Sequence, residues 1–211
     1  MARAGMTEKK AVATPTGPAK LWMDEAPEPR LRLLLGHGAG GGPEARDLAA
    51  LARELPEHGV SVLRFEQPWR IAGKKIAPRP ALLDEAWLAI PVPADLPLVV
   101  GGRSSGARVA CRTATAMGAS GVVALAFPLH PPGKPEKSRL DELTGAGVPT
   151  LVVQGERDSF GRPAEFGAGP FTLASIAHAD HGMAVPKANN QADALSAMVG
   201  AVREFVLRFA G

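Results

Sequence analysis

A serine between two glycines is the first candidate for chemistry in this sequence. Gly102, Ser104 and Gly106 satisfy the spacing G-x-S-x-G, directly after the apolar run "LPLVV" and before a segment of helical character. On a sharp strand-to-helix turn this spacing lifts the serine hydroxyl above a sheet, because neither flanking position has room for a Cβ. Ser105 fails the spacing, since Arg103 occupies the place of its preceding glycine. We interpret Ser104 as a nucleophile; the simpler alternative is a helix that begins with small residues.

A serine nucleophile needs a base and an acid, and candidates for both follow in the chain. The expected order is Ser, then Asp or Glu, then His. Asp158 lies in "ERDSFG" after the apolar run "TLVVQG", with Glu156 as its local alternative. His181 lies in "AHADHGM" after "FTLASI" and is preferred to His178 because it is farther beyond the predicted strand. The competing interpretations are a solvated loop acid and a structural histidine.

Neither the histidines nor the cysteine predicts a metal site. His178 and His181 have a spacing found in metal sites, but zinc needs a third protein ligand. Cys111, the only cysteine, falls in a predicted helix away from this loop and is expected to be a small buried side chain. A single cysteine permits no intramolecular disulfide. We therefore expect no metal, no cofactor and a cytoplasmic protein.

The glycine-rich stretch "LLLGHGAGGG" has two interpretations. Gly36, Gly38 and Gly41 match the G-x-G-x-x-G of a dinucleotide fold, with Glu66 placed to hold a ribose hydroxyl. Alternatively, His37 and Gly38 open a loop whose backbone N–H groups form an oxyanion hole. The dinucleotide interpretation explains none of the later serine, acid and histidine motifs. We therefore favour the oxyanion loop.

Five side chains near predicted strand ends are candidates to line a substrate pocket. The runs "RFEQPWR" and "FPLHPPGKP" leave strand ends at the edge where the serine is expected. Aromatic residues at such positions usually belong to the core or its rim. The proline-rich segment after Phe127 is also a candidate to cover the site. The tentative pocket residues are His37, Trp69, Phe127, His130 and Phe160.

The composition is that of one globular domain without an extended basic segment. The chain has 211 residues, 45% hydrophobic and 21% charged, with a formal net charge of +3. Lys and Arg are scattered among acids, so we expect no nucleic-acid partner. No segment has the roughly 18 uninterrupted apolar residues of a membrane span. A short basic cluster is interpreted as a funnel for an anionic substrate or as a solvated loop: Arg70, Lys74, Lys75 and Arg79.

Apolar runs alternate with helical periodicities along the chain. The runs are mostly continuous, which is typical of strands covered on both faces. Residues 48–55 and 195–209 keep the i, i+3, i+4 spacing of a buried helix face. This predicts an α/β fold with a mainly parallel central sheet, helices on both faces and no separate cap domain. We expect residues 1–10 to be disordered and residues 11–211 to form a single domain, with an edge strand or hairpin at "ATPTGPAKLWM".

With these residues in place, the sequence resembles the α/β-hydrolase superfamily, near its dienelactone-hydrolase-like branch. It looks most like the small hydrolase-like family that includes a testis-expressed protein and a regulatory subunit of a histone-acetyltransferase complex. The likeness rests on "LLLGHGAGG", "RFEQPWR", "VVGGRSSGARVA", "LAFPLHPPGKP", "VPTLVVQGERDSFG" and "ADHGM". It implies a triad of Ser104, Asp158 and His181, with the backbone N–H groups of Ala39 and Ser105 as the oxyanion hole.

The expected activity is hydrolysis of an ester or related acyl bond of a small molecule through an acyl-enzyme intermediate. The alternative from another class is a catalytically silent hydrolase-like module that binds a protein or a small ligand. A dinucleotide-binding oxidoreductase is a distant third.

Overall fold

The computed structural model describes residues 7–211, which form one eight-stranded sheet with helices on both faces. The strands are β1 Glu8–Thr14, β2 Gly17–Asp24, β3 Leu31–Gly36, β4 Val60–Glu66, β5 Leu98–Arg103, β6 Gly121–Leu125, β7 Thr150–Gly155 and β8 Thr172–Ile176. The helices are α1 Arg46–Glu54, α2 Pro68–Ile71, α3 Pro80–Leu88, α4 Ser105–Thr113, α5 Leu140–Thr144 and α6 Gln191–Val206. Short 3-10 turns occur at Leu55–His58, Pro135–Lys137, Pro163–Glu165 and Leu207–Phe209.

The strand order is β1-β2-β4-β3-β5-β6-β7-β8. The first two strands form the expected hairpin, β2 pairs with β4 in antiparallel fashion, and every later pairing is parallel. Parallel strands require crossover helices, which explains the alternation seen in the sequence. The predicted fold class is therefore confirmed.

The predicted boundary of the disordered N-terminus is wrong at its end. Glu8 already pairs with Met23 in the β1–β2 hairpin, so residues 8–10 belong to a strand. Their polar side chains concealed this because an edge strand is held by backbone hydrogen bonds and leaves its side chains in water. Lys9 is exposed, and its Nζ lies 3.6 Å from the ring centroid of Trp22 on the neighbouring strand. Thr7 directly precedes the strand, and the rest of the predicted segment, residues 1–6, lies outside the described residues.

The core consists of two apolar layers separated by the sheet. Successive strand residues face opposite sides, so Leu34 packs in one layer while its neighbours Leu33 and Leu35 pack in the other. The first layer contains the buried faces of α3, α4 and α5, with Trp87 as its largest side chain; the second contains those of α1 and α6. Both faces of each central strand are covered, and this explains why the apolar runs in the sequence are continuous.

The carboxyl ends of the parallel strands meet at one edge of the sheet. The loops that leave β3, β5, β7 and β8 there are the segments with the candidate chemical groups. Between residues 7 and 211 the chain inserts no cap domain among these strands. None of the helices in this range has the length and apolar character needed to cross a membrane.

Candidate active site

Ser104 occupies a strained turn between β5 and α4. Its backbone has φ 52° and ψ −115°, a conformation that is uncommon for a residue with a side chain. A Cβ on Gly102 would overlap the carbonyl oxygen of Gly36. A Cβ on Gly106 would lie 2.5 Å from the carbonyl carbon of Gly36 and 2.9 Å from the carbonyl oxygen of His37. Both glycines of G-x-S-x-G are therefore required by the close approach of this turn to the end of β3.

A chain of hydrogen bonds links Ser104, His181 and Asp158. His181 Nε2 lies 2.9 Å from Ser104 Oγ, and His181 Nδ1 lies 2.8 Å and 3.0 Å from the two carboxylate oxygens of Asp158. The Asp158 side chain is fully buried, whereas that of His181 is 22% exposed. A carboxylate accepts only, so Nδ1–H donates to it and Nε2 is left to accept the serine hydroxyl proton. The three residues predicted from the sequence thus come together in the order of nucleophile, base and acid.

The alternative acid and base lie outside this chain of hydrogen bonds. Glu156 Oε2 accepts the backbone N–H of His178 at 3.1 Å, and both side chains are exposed. His178 has a φ of 59° at the turn after β8. This pair closes the loop beside the site and provides no contact with Ser104.

Two further residues hold the Asp158 carboxylate and the His181 ring. The backbone N–H of Phe160 donates to Asp158 Oδ1, and Gln154 Nε2 donates to Asp158 Oδ2, each at 2.8 Å. The Phe160 ring stacks on the His181 imidazole with centroids 4.1 Å apart and planes 28° apart. Gln154 was missed in the sequence, although a polar residue in the otherwise apolar run "TLVVQG" was a usable signal.

Gln154 also fixes the loop that follows β7. Its fully buried amide donates to the carbonyl of Gly161 at 2.7 Å and approaches the carbonyl of Phe127 at 3.3 Å. One side chain therefore connects the acid, its own loop and the end of β6.

His37 is buried in the glycine-rich loop, where both of its ring nitrogens have hydrogen-bond partners, and its place in a substrate pocket stays a prediction. It is buried, its Nε2 accepts the backbone N–H of Gln67 at 3.2 Å, and its Nδ1 lies 2.8 Å from the carbonyl oxygen of Gly38. Burial lowers the pKa of His37, so the neutral ring with the proton on Nδ1 satisfies both contacts. Because a trans peptide points its C=O and N–H in opposite directions, this bond turns the N–H of Ala39 away from the His37 ring.

Two aromatic residues of the tentative pocket, Phe127 and Trp69, are also buried. Phe127 has no exposed surface and packs against Phe166, and Trp69 packs against His37 in the core layer. These strand-end aromatic side chains turn into the layer of α3, α4 and α5, where burial of a large ring is most favourable. Of the five, Phe160 stands beside the candidate base.

His130 anchors the proline-rich segment, and its place in a substrate pocket likewise stays a prediction. Its backbone N–H donates to the carbonyl of Phe160 at 3.0 Å, and its two ring nitrogens each lie 2.9 Å from an acceptor, the Pro131 carbonyl and Glu165 Oε2. Two acceptors require two N–H donors, so the ring is an imidazolium in this arrangement. The Pro131 carbonyl and, next, the Glu165 carboxylate raise the pKa of His130. The segment is thereby tied to the loop of Phe160.

Three residues of the basic cluster lie on an exposed loop after α2, and the fourth, Arg70, lies in α2 itself. Lys74, Lys75 and Arg79 are exposed, as is Ile76 between them. Arg70 pairs with Glu44 at 3.2 Å on the protein surface. Among residues 7–211, no group of three or more His, Cys, Asp or Glu side chains is arranged to hold a metal ion.

Residues 29–207 match the family described as "Alpha/beta hydrolase domain". This chain belongs to the alpha/beta hydrolase family. The match spans every element from β3 to α6, and it includes the three hydrogen-bonded residues.

Solved structures share this fold over almost the full chain. A dienelactone hydrolase from Anabaena variabilis is 16% identical with a TM-score of 0.75, and the match covers 99% of this chain and 100% of that one. A Xanthomonas campestris protein described as an α/β serine hydrolase without lid is 21% identical with a TM-score of 0.73, covering 95% of each chain. Est1E from Butyrivibrio proteoclasticus is 17% identical with a TM-score of 0.71, covering 95% and 98%. At these identities the likeness establishes the fold.

Proposed function

We propose that this alpha/beta hydrolase is a serine hydrolase that cleaves an ester or related acyl bond of a small molecule. Family membership supports hydrolysis as the class of reaction. The observation that carries the finer proposal is the chain of hydrogen bonds from Ser104 Oγ through His181 to the buried carboxylate of Asp158. Acyl transfer needs a nucleophile, a base and an orienting acid in this order.

The first half of the reaction acylates the serine. Ser104 Oγ attacks the substrate carbonyl carbon while His181 Nε2 takes the hydroxyl proton, and the carbonyl electron pair moves onto its oxygen. Asp158 accepts the Nδ1–H bond and stabilises the imidazolium. When the tetrahedral intermediate collapses, the leaving group departs with the proton from Nε2 and Ser104 is left as an ester.

The second half repeats these steps with water as the nucleophile. His181 Nε2 takes a proton from water as the water oxygen attacks the acyl carbon. Collapse of the tetrahedral intermediate then breaks the bond to Ser104 Oγ, which receives that proton from Nε2. The products are a carboxylic acid and the free enzyme. No cofactor takes part in this scheme.

The backbone N–H groups of Ala39 and Ser105 are proposed to bind the negative oxygen in both halves. Ser105 begins α4, so its N–H has no acceptor within the helix. The bond from His37 to the Gly38 carbonyl supports the orientation of the Ala39 N–H. Loss of one such donor typically raises the barrier by about 2.7 to 4 kcal/mol.

We further infer that the chain lies near the dienelactone-hydrolase-like branch, beside the small family with the testis-expressed protein. The motifs "GHGAGG", "GGRSSGARVA" and "ADHGM" support this placement. A cytoplasmic location is proposed on the basis of the single cysteine, Cys111, which is buried.

The test is reaction of the purified protein with a serine-directed fluorophosphonate, followed by mass mapping of the adduct. We expect an adduct on Ser104 that is absent from Ser104→Ala and retained in Ser196→Ala, a matched change at an exposed serine of α6. Once the adduct is found, unlabelled protein would be assayed with p-nitrophenyl esters of increasing acyl length. A folded wild-type protein that gives no adduct would refute the proposal and favour the silent binding module.

A further inference from the structure

Arg103 occupies the variable position of the G-x-S-x-G turn, and the mechanism above gives it no role. Its side chain is 12% exposed, and its guanidinium group is held by hydrogen bonds. Nε donates to Asp47 Oδ2 at 2.8 Å, and Nη2 donates to the backbone carbonyl of His181 at 2.7 Å. One guanidinium therefore contacts both α1 and the residue proposed as the base.

Asp47 holds the guanidinium of Arg103 in a fixed position. Its side chain is fully buried in the first turn of α1, and its other oxygen, Oδ1, accepts the N–H of Leu48 at 3.0 Å. A buried carboxylate is costly unless it is paired and hydrogen-bonded, so the site is shaped to hold the guanidinium in one place. The planar fork of arginine then fixes the direction of the second bond, toward His181.

The loop of His181 is compact but requires a connection to the serine turn. Asp180 Oδ1 accepts the N–H groups of Gly182 and Ala184 at 2.8 Å and 2.9 Å, which closes the loop on itself. Those bonds hold the shape of the loop and do not set its distance from Ser104. The backbone N–H of Arg157 donates to the Ala179 carbonyl at 2.8 Å and ties the loop to that of Asp158. The bond from Arg103 to the His181 carbonyl ties it to the serine turn, because Arg103 directly precedes the serine in the chain.

We propose that Arg103, held by Asp47, is a positioning residue that keeps the His181 backbone where Nε2 reaches Ser104 Oγ. This inference rests on the proposed serine hydrolase function. Reacting groups must be held within about 0.5 Å of the productive geometry, and a displacement of about 1 Å is able to slow a reaction by about a hundredfold. The carbonyl carbon of His181 is bonded directly to the Cα that bears the side chain, so this tether acts on the position of the ring.

The main test is the double variant Asp47→Asn/Arg103→Gln, which leaves no unpaired buried charge. Its matched control is Asp84→Asn/Arg112→Gln, which removes another arginine–aspartate pair, between α3 and α4, without touching the site. Arg112 also pairs with Glu142, which keeps its bond to Arg108 in this control. Folding is checked by thermal unfolding. Three quantities are measured: the second-order rate of fluorophosphonate labelling, kcat and KM for p-nitrophenyl acetate, and amide hydrogen exchange at residues 182–184.

We expect the double variant to label about tenfold to a hundredfold more slowly than wild type, with kcat lowered by a similar factor and KM little changed. Exchange at residues 182–184 should accelerate, and the control should behave as wild type in all three measurements. A folded double variant that labels at the wild-type rate overturns the proposal.

Chemical rescue provides a second, independent readout. Arg103→Ala removes the guanidinium, and millimolar guanidinium ion is expected to restore labelling at least partly by bridging Asp47 and the His181 carbonyl. Urea at the same concentration, which is neutral and of similar shape, should not. Equal effects of guanidinium and urea would overturn the charge-assisted link.

The failure of each proposal is distinguishable from that of the other. If wild-type protein is not labelled, the proposed hydrolase function is refuted, and the exchange data decide the tether by themselves. Faster exchange in Asp47→Asn/Arg103→Gln then supports a tether, while unchanged exchange overturns it. If wild type is labelled and the double variant matches it, the tether alone fails.

Discussion

Alanine at Gly106 should destabilise the protein, whereas alanine at Gly200 should stabilise it. Both glycines lie within helices, α4 and α6 respectively. A Cβ at Gly106 would overlap the Gly36 carbonyl oxygen and come within 2.5 Å of its carbon, while a Cβ at Gly200 would meet no atom within 4 Å. The pair isolates the close approach of α4 to β3 from the general preference of helices for alanine.

The magnitudes follow from two opposing contributions. Replacing a helix-interior glycine by alanine gains about 0.8 to 1 kcal/mol, and Gly200→Ala should show this gain. Gly106 is the second residue of α4, so its gain is at most this large. It is opposed by overpacking against backbone atoms, which no rotamer change relieves and which costs about 3 kcal/mol, the upper end of the range typical of cores. The net loss is about 2 kcal/mol. For a chain of this size that lowers Tm by about 4 to 8 °C.

The assay is urea unfolding with both variants beside wild type, followed by the fluorophosphonate labelling rate of each folded protein. Gly106→Ala should also label slowly, because relief of the overlap moves Ser104 away from the glycine-rich loop. Gly200→Ala should label as wild type does. If Gly106→Ala and Gly200→Ala have the same free energy of unfolding, α4 does not approach β3 as closely as described. The steric explanation of the G-x-S-x-G motif would then also be wrong.

Three further changes probe the surroundings of the site. The pKa of His130 is raised in the folded protein, so its bond to Glu165 adds its full stability below pH about 6.5 and loses it as the pH rises through the folded-state pKa. The pair is partly solvated and contributes about 0.5 kcal/mol. In urea unfolding, the difference in stability between wild type and His130→Gln should therefore shrink at high pH. Gln154→Leu should lower the free energy of unfolding by about 1 to 3 kcal/mol, since it leaves buried acceptors unpaired, and calorimetry checks this. Phe160→Ala should slow labelling by loosening the ring of His181, and labelling at the wild-type rate would contradict it.

Much of the fold was predictable because it is encoded by nearby residues. The continuous run of β3 predicts a strand with two covered faces, and Leu33 and Leu34 indeed pack in opposite layers. The glycine spacing around Ser104 predicts a tight turn for a steric reason that holds in any protein, and the close approach of Gly102 and Gly106 to the Gly36 backbone supplies that reason here. Order along the chain then led to Asp158 and His181 because parallel strands deliver their loops to one edge.

The sequence could not show which of the tentative pocket residues face the site, because position near a strand end does not determine which way a ring points. Phe127 and Trp69 both follow strands that end at the right edge, yet both rings turn into the core. Their orientation depends on helices that pack against the sheet from distant parts of the chain. Sequence periodicity contains no information about that choice once the strand has ended.

The same limit explains why Arg103 and Gln154 escaped detection while the residues they support did not. A motif specifies positions that sterics or chemistry restrict, and the x of G-x-S-x-G is by definition unrestricted within it. Arg103 gains its partners from residues 56 and 78 positions away in the chain, Asp47 and His181, so its role exists only after the sheet has formed. Residues that react are thus identifiable from local pattern, whereas residues that position them are identifiable from the assembled fold. A tether built at the variable position adds geometric control without altering the motif itself.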